Sequence, residues 1–209
     1  MILAIDTSAG QCAVALTGNA PVVERAAMHR GHAEALFPMI ESVLARGGVA
    51  FGDLARIAVC TGPGSFTGVR IGVGAARGLA LALGIPANGV NRFEALAAQA
   101  GAPVAVCLAG RGNTLYVQCF EADGRPAGEP RMIGAEALAA AIPAGISRFA
   151  GDAAHLAAGD SALLPDGLPD PAVIARLAAG RPPAGAPRPL YLRGADAAPP
   201  REAPPALLD

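Results

Sequence analysis

The sequence contains no lysine, and all 16 of its basic residues are arginines. Enzymes that form a Schiff base need an ε-amine, and phosphate-binding loops of the Walker type need a lysine, so both classes are excluded. With 17 acidic residues the formal net charge is -1, and the chain lacks the basic excess that binds a phosphate backbone. We expect this chain alone to bind nucleic acid weakly.

Cysteine is also scarce, and each cysteine stands alone in an apolar stretch that is typical of a strand. The sequence has no CxxC pair and no cluster of histidines beside a cysteine, so it lacks the usual spacing of a zinc site or a redox pair. We therefore expect reduced, buried thiols and a cytoplasmic protein. The four residues are Cys12, Cys60, Cys107 and Cys119.

Long apolar runs are lacking too. The longest, residues 71–85, is shorter than a membrane span and contains Arg77. The first residues have neither the basic flank nor the cleavage site of a signal peptide. We predict no membrane segment and no export.

What the sequence does have is a strong alternation of strand and helix patterns in its first half. Turn formers separate short apolar runs, which predicts a β-hairpin at residues 1–16 and a third strand at residues 20–27. Helical spacing follows, with Gly47 and Gly48 as its stop signal. Beyond it we predict a strand at 56–60, helices at 69–83 and 93–100, and a strand at 86–91, which together indicate an α/β fold.

The second half has weaker patterns. Gly101 and Pro103 mark a boundary, and Asp170 before Pro171 predicts a helix cap followed by a first-turn proline. We expect a first lobe at 1–101, a smaller second lobe at 102–194 and a disordered tail at 195–209. Within the second lobe, strands are predicted at 104–110, 114–121 and 147–152, and helices at 136–141 and 171–179.

The turn of the first hairpin contains Asp6, Thr7 and Ser8. Free amides and small hydroxyl side chains in such a turn can hold a phosphate, and an aspartate after a strand can orient a magnesium ion. The same residues are also good turn formers, so the sequence leaves both interpretations open.

A second candidate is the glycine-rich stretch TGPGSFTGVR at residues 61–70, which includes Gly64 and precedes a helix. Exposed amides at a helix N-terminus favour an anion, although the lysine and the glycine spacing of a phosphate-binding loop are absent. A tight turn that packs the strand against the helix explains the stretch equally well.

Small residues recur at four-residue spacing along the second predicted helix, at Gly68, Gly72, Ala76 and Ala80. A row of small side chains lets another backbone approach closely. The neighbour can be a partner helix or part of the same chain, and the sequence does not decide between them.

Histidines are few, and no catalytic set surrounds them. His29 and His32 lie at the start of the first helix without a third ligand, so we favour a capping or hydrogen-bonding role over a metal site. Ser65 lacks the glycine placement of a nucleophile elbow, and His155 has no evident acid partner. A serine hydrolase is disfavoured.

Several segments together resemble the TsaB (YeaZ) family, and GPGSFTGVRIG is the most specific of them. The others are LAIDTSAGQCAVAL, HAEALFPMIESVL and PLYLR. The resemblance implies an actin-like, sugar-kinase-like (ASKHA) α/β fold of two lobes with the second one reduced. It also implies a non-catalytic relative of the transferase subunit TsaD.

In TsaD a metal-binding HxxxH motif follows a GVN-like strand end, whereas this chain has Arg92 and Leu96 at the two histidine positions. The run 109–112 also lacks the acidic residue that relatives often carry there. The resemblance therefore implies no metal and no cofactor bound by this chain alone. ATP or ADP and the metal are expected on the partner subunits.

The implied function is that of a dimerisation and scaffold subunit in threonylcarbamoyladenosine biosynthesis, which modifies the adenosine beside the anticodon of tRNA. The implied partners are TsaD, as a heterodimer, and TsaE, with a homodimer in the absence of TsaD and tRNA contact only through the complex. The predicted interface residues are His32, Leu36, Gly68, Val69, Gly72 and Ala76.

Two other functions are kept as alternatives. A nucleotide-binding phosphotransferase of the sugar-kinase class rests on Asp6, Thr7, Ser8 and Gly64. A peptidase has no nucleophile, base and acid to support it.

Overall fold

A computed structural model describes residues 1–18, 20–182 and 185–193. In these ranges nine strands and six α-helices alternate along the chain. The strands are β1 Ile2–Asp6, β2 Gln11–Leu16, β3 Val22–Ala27, β4 Arg56–Cys60, β5 Ala87–Val90, β6 Val104–Ala109, β7 Thr114–Phe120, β8 Arg131–Gly134 and β9 Phe149–Ala150. The helices are α1 His32–Gly47, α2 Phe66–Leu83, α3 Arg92–Ala100, α4 Leu138–Ala141, α5 His155–Ala158 and α6 Pro171–Ala179.

The first sheet has the strand order β3-β2-β1-β4-β5. Strands β1 and β2 form the predicted hairpin, and β3, also predicted, extends it to an antiparallel meander. Strands β4 and β5 continue the sheet in parallel. Side chains alternate between its faces, so Leu3 and Ile5 pack beneath α1 and α2, whereas Ala4 packs beneath α6. The small alanine lets α6 lie close to the sheet.

Helices α1 and α2 cover the larger apolar face of this sheet. The helical pattern of α1 is confirmed, because Leu36, Ile40 and Val43 are fully buried in the core. The helix ends as predicted at a glycine, Gly48, whose φ of 63° is readily adopted only without a side chain. The start of α2 is fixed by Ser65, whose hydroxyl accepts a hydrogen bond from the Gly68 amide.

By length and composition alone, α2 is apolar enough to cross a membrane, although only 28 % of it is buried within this chain. Its buried side packs on β1 and β4 of this chain. The predicted absence of a membrane segment stays a prediction.

The second sheet is smaller, with the order β8-β7-β6-β9. Helix α3 belongs to both lobes, since its Phe93 and Leu96 pack on this sheet while its Ala95 packs with the first. The predicted strands β6, β7 and β9 are confirmed, although β9 has only two residues. Strand β8 and the short helix α5 were not predicted.

The end of the described chain returns to the first lobe. Helix α6, which was expected in the second lobe, packs on the first sheet instead. It lies on the face opposite to α1 and α2, where Ile174 is fully buried. Arg56 of β4 donates to the Ala178 carbonyl, and Leu190 donates to the Thr61 carbonyl. The division near residue 101 stays a prediction, and the expected tail lies outside the described residues.

Candidate functional site

The carboxylate of Asp6 is fully buried at the end of β1 and bonded within the chain. Its Oδ1 accepts from the Ser8 amide at 2.9 Å and from the Ser8 hydroxyl at 2.6 Å. Its Oδ2 accepts from Gln11 Nε2 at 2.8 Å, and the same nitrogen donates to the Pro169 carbonyl. Asp6 therefore orders the turn and ties it to the segment before α6.

The glycine-rich loop meets this turn. The Ser65 amide donates to the Ser8 carbonyl at 2.8 Å, and a Cβ at Gly64 would collide with that same carbonyl. Of the four residues predicted for a phosphate, Ser8 and Gly64 line the cleft between the lobes, whereas Asp6 and Thr7 are buried and do not line it. The structure thus favours the tight-turn interpretation of this loop.

The row of small residues on α2 faces the chain's own sheet. A Cβ at Gly68 would strike the Thr7 carbonyl, and one at Gly72 would lie 2.5 Å from the Thr7 hydroxyl. Ala76 is fully buried against the same core. The small side chains are therefore needed to bring α2 down onto β1, not to admit a partner.

This burial corrects the placement of the predicted interface residues. His32, Leu36, Gly68, Val69, Gly72 and Ala76 are all buried in this chain. A partner that binds α1 and α2 must contact their opposite, exposed faces.

The cleft between the lobes encloses about 500 Å³. First-lobe residues line one wall, and Asp152 and Asp166 line the other. Helix α1 starts at this cleft, but its cap is Gly31, with a φ of 83° and no side-chain hydrogen bond, so the predicted histidine cap is wrong. His32 is buried there, and its Nε2 has no hydrogen-bond partner among the described residues.

Arg92 is the buried cation of the cleft. Its Nε donates to the Gly167 carbonyl at 2.9 Å, and its Nη2 pairs with Asp152 Oδ2 at 3.0 Å. The other carboxylate oxygen of Asp152 accepts from the Ala109 amide at 2.7 Å. From the sequence alone Arg92 is recognisable only as a residue at a metal-ligand position of TsaD, and no local signal pairs it with a carboxylate 60 positions away.

The residues at this place do not fit a metal ion. A guanidinium carries only donors, and Leu96 is a fully buried hydrocarbon in the core of the second lobe, so neither can serve as a ligand. Within the described ranges, no group of three or more His, Cys, Asp or Glu side chains is arranged to hold a metal.

The cysteines are free and buried, as predicted. Burial raises the pKa of Cys12 from 9.0 to about 11, with the charge of Asp6 as a smaller cause. Burial likewise raises the pKa of Cys107 to about 12 and raises the pKa values of Cys60 and Cys119. At neutral pH these thiols are protonated, which is the inert form.

Comparison with known proteins agrees with this architecture. A family model described as TsaD, tRNA N6-adenosine threonylcarbamoyltransferase, matches residues 22–147. The structure of YeaZ from Pseudomonas aeruginosa matches with a TM-score of 0.78 and 31 % identity, over 91 % of this chain and 99 % of that one.

Two curated relatives match a shorter region. The Escherichia coli (strain K12) "tRNA threonylcarbamoyladenosine biosynthesis protein TsaB" is 41 % identical over 97 residues, 46 % of this chain and 42 % of that protein. A "tRNA N6-adenosine threonylcarbamoyltransferase" of Pelobacter propionicus is 35 % identical over 112 residues, 45 % of this chain and 33 % of that protein. The matched part thus spans less than half the length of either relative.

The two sheets, the β1–β2–β3 meander continued by parallel strands, and the cleft between the lobes define an actin-like, sugar-kinase-like (ASKHA) protein. The similarity to YeaZ covers nearly the whole of both chains. The chain belongs to the TsaB (YeaZ) family.

Proposed function

We propose that this chain is a non-catalytic subunit in the biosynthesis of threonylcarbamoyladenosine in tRNA, and that it supports TsaD by binding it. The observation that carries the proposal is an exposed surface on the outer faces of α1 and α2. We call it the helix-pair surface, and it consists of Glu34, Phe37, Glu41, Arg70, Gly74, Arg77, Gly78 and Leu81.

Two large apolar side chains belong to this surface. Phe37 on α1 is 46 % exposed, and Leu81 on α2 is 86 % exposed. Helix α2 also exposes Gly74 and Gly78, where an added Cβ would meet nothing within 4 Å. Bare backbone beside protruding apolar side chains permits close approach of a second helix.

The charges of the surface are arranged to suit a partner of the same fold. Helix α1 exposes Glu34 and Glu41, and α2 exposes Arg70 and Arg77, with the same seven-residue spacing on each helix. A two-fold axis that sets α1 of one copy against α2 of another brings acidic residues opposite basic ones. This complementarity supports a homodimer in the absence of TsaD.

TsaD is the proposed partner in the complex because its family model matches this chain over residues 22–147. A chain with the same first-lobe helices can replace the second copy in a two-fold arrangement. The homodimer and the heterodimer would then compete for one surface. TsaE would join this pair, and tRNA would be contacted only through the complex.

The lack of catalysis by this chain is proposed from two features of its residues. Asp6 is the carboxylate on which the phosphotransferase alternative rests. Both of its oxygens already accept hydrogen bonds, from Ser8 and from Gln11. Arg92 and Leu96 stand where the metal ligands of a TsaD-type chain are expected. The metal and the ATP or ADP would then reside on the partner subunits.

The binding test is light scattering of the purified chain alone and mixed with TsaD from the same organism. We expect a homodimer that converts to a one-to-one complex. Leu81→Glu should weaken both associations about thirty-fold or more, as the loss of a central contact of about 2 kcal/mol does. Its matched control is Leu156→Glu, at a 53 % exposed leucine of the second lobe, which should leave both unchanged.

The functional test is transfer of the threonylcarbamoyl group to tRNA. TsaD, TsaE and this chain together should modify tRNA, this chain alone should not, and Leu81→Glu should reduce the rate in the mixture. Transfer by this chain without TsaD would overturn the non-catalytic role. Equal binding by Leu81→Glu and the unsubstituted chain would instead remove the helix-pair surface as the interface.

A further inference from the structure

Arg92 is the first residue of α3, and its side chain is only 6 % exposed although it carries a full charge. Its backbone amide donates to the Gly62 carbonyl at 2.6 Å, which anchors it to the loop of the first lobe. The guanidinium reaches across the cleft to the Gly167 carbonyl and to Asp152. Arg92 therefore contacts the segments on both sides of the cleft, through its backbone amide on the first-lobe side and through its guanidinium on the second-lobe side.

Asp152 continues the connection into the second sheet, because its Oδ1 accepts from the amide of Ala109 at the end of β6. Gly167 allows the Arg92 guanidinium to approach its backbone closely. Its φ is 61°, and an added Cβ would lie 2.6 Å from Arg92 Nη2. We refer to Arg92, Asp152, Gly167 and Ala109 together as the Arg92 bridge.

We propose that the Arg92 bridge holds the two lobes at one fixed separation, with the guanidinium serving as a built-in cation in place of a bound metal ion. This inference does not depend on the proposed function. It gives Arg92 a structural role of its own, in addition to the absence of a metal-ligating histidine at this position.

The physical reason lies in the energetics of a buried charge. A guanidinium remains protonated at every physiological pH, and its planar fork of donors fits a carboxylate and a carbonyl at once. Opening the cleft would break the charge-assisted hydrogen bonds from the guanidinium to Asp152 and Gly167, and their loss opposes the movement. Two-lobed proteins that close around a ligand need a cleft that opens at low cost, and this bridge removes that freedom.

The test measures how the lobes move relative to each other. Spin labels at Ala45→Cys on α1 and Leu156→Cys on α5 report the interlobe distance distribution by electron paramagnetic resonance. Both positions are exposed, whereas the native cysteines are buried. Hydrogen exchange of the Ala109 amide reports the bridge directly, since that amide is bonded to Asp152.

Arg92→Met should broaden the distance distribution and accelerate exchange of the Ala109 amide about ten-fold or more, because the Asp152 carboxylate that accepts from this amide loses its cationic partner. The matched control is Arg25→Met, which removes a 2.7 Å pair with Asp170 that joins β3 to the cap of α6 on the first sheet. That control should leave both readouts unchanged. Asp152→Asn provides the second variant, since it removes the charge at constant size and should act in the same direction as Arg92→Met.

A narrow, unchanged distribution and unchanged Ala109 exchange in a folded Arg92→Met or Asp152→Asn variant would overturn the proposal. A shift of the unsubstituted chain's distribution on addition of magnesium or zinc would overturn the part that gives the guanidinium the place of a metal. No shift with either metal is the expected result.

Discussion

The hydroxyl of Thr7 donates a 2.7 Å hydrogen bond to the carbonyl oxygen of Gly68. This bond joins the turn after β1 directly to the first turn of α2. It also explains why α2 carries small residues on that side, since any side chain at Gly68 or Gly72 would displace Thr7. The two glycines and Thr7 form one packed contact.

Gly72→Ala should therefore destabilise the fold by about 1–3 kcal/mol, because the added methyl group overpacks the contact with Thr7. Its control is Gly74→Ala on the open side of α2, where nothing lies within 4 Å of the new Cβ. There the gain in helix propensity should stabilise the fold by up to about 1 kcal/mol. Urea unfolding of the two variants should give shifts of opposite sign.

Asp6→Asn tests whether the first-strand carboxylate is structural or binds a nucleotide. The amide supplies only one acceptor oxygen for donors from Ser8 and Gln11, so we expect a loss of about 1–3 kcal/mol in the free energy of unfolding. Calorimetry with magnesium and ATP should detect no binding by either form. Binding that Asp6→Asn abolishes would restore the phosphotransferase alternative.

Asp170 has two roles that separate substitutions can distinguish. It caps α6 by accepting from the Ala172 amide, and it pairs with Arg25 at the surface. Asp170→Asn keeps a capping oxygen and loses only the exposed pair, so it should cost less than about 1 kcal/mol. Asp170→Ala loses both and should cost about 1–2 kcal/mol more. Equal melting temperatures for the two variants would contradict the capping role.

The buried thiols predict a loss of stability at alkaline pH. Each thiol keeps its proton in the fold above its ordinary pKa of 9.0, whereas the unfolded chain releases it near that value. The stabilisation is therefore complete below pH 9 and declines as the pH rises toward the raised values. Each fully buried thiol should cost about 1 kcal/mol by pH 10.

The loss of unfolding free energy at alkaline pH can be attributed to the thiols, because the chain has no lysine and only two tyrosines that titrate in the same pH range. Cys12→Ala should reduce the slope of unfolding free energy against pH between 8.5 and 10.5. An unchanged slope would mean that the Cys12 thiol does not titrate differently in the fold. In the native protein at pH 7.5 a thiol reagent should modify none of the four cysteines within minutes.

The elements of the first lobe were predictable because their signals are local. The period of Leu36, Ile40 and Val43 and the paired glycines after them are sufficient to place α1. By contrast, β8 is short and has no fully buried residue, and it forms because β7 offers it a hydrogen-bonding edge. Such strands depend on a neighbour that the sequence pattern does not reveal.

The cleft was harder to predict for the same reason. Helical spacing shows that Gly68 and Gly72 share a face, but not that β1 covers this face. The pairing of Arg92 with Asp152 joins residues that are far apart along the chain. Only the fold brings the two side chains to the same place. The family motif therefore shows that a metal-ligating histidine is absent, but it does not show that Arg92 pairs with Asp152 there.

The return of α6 to the first sheet has a consequence during translation. The strands and helices up to Ala100 leave the ribosome first, yet Ile174 of α6, which packs with Ala4 and Ala58 on the first sheet, is made much later. Until then this apolar face of the first sheet is exposed to solvent on the nascent chain. The duration of that exposure is set by synthesis of the intervening 70 or so residues, at about 5–20 residues per second. Synthesis of the second sheet thus separates in time the two parts of the chain that pack together on the first sheet.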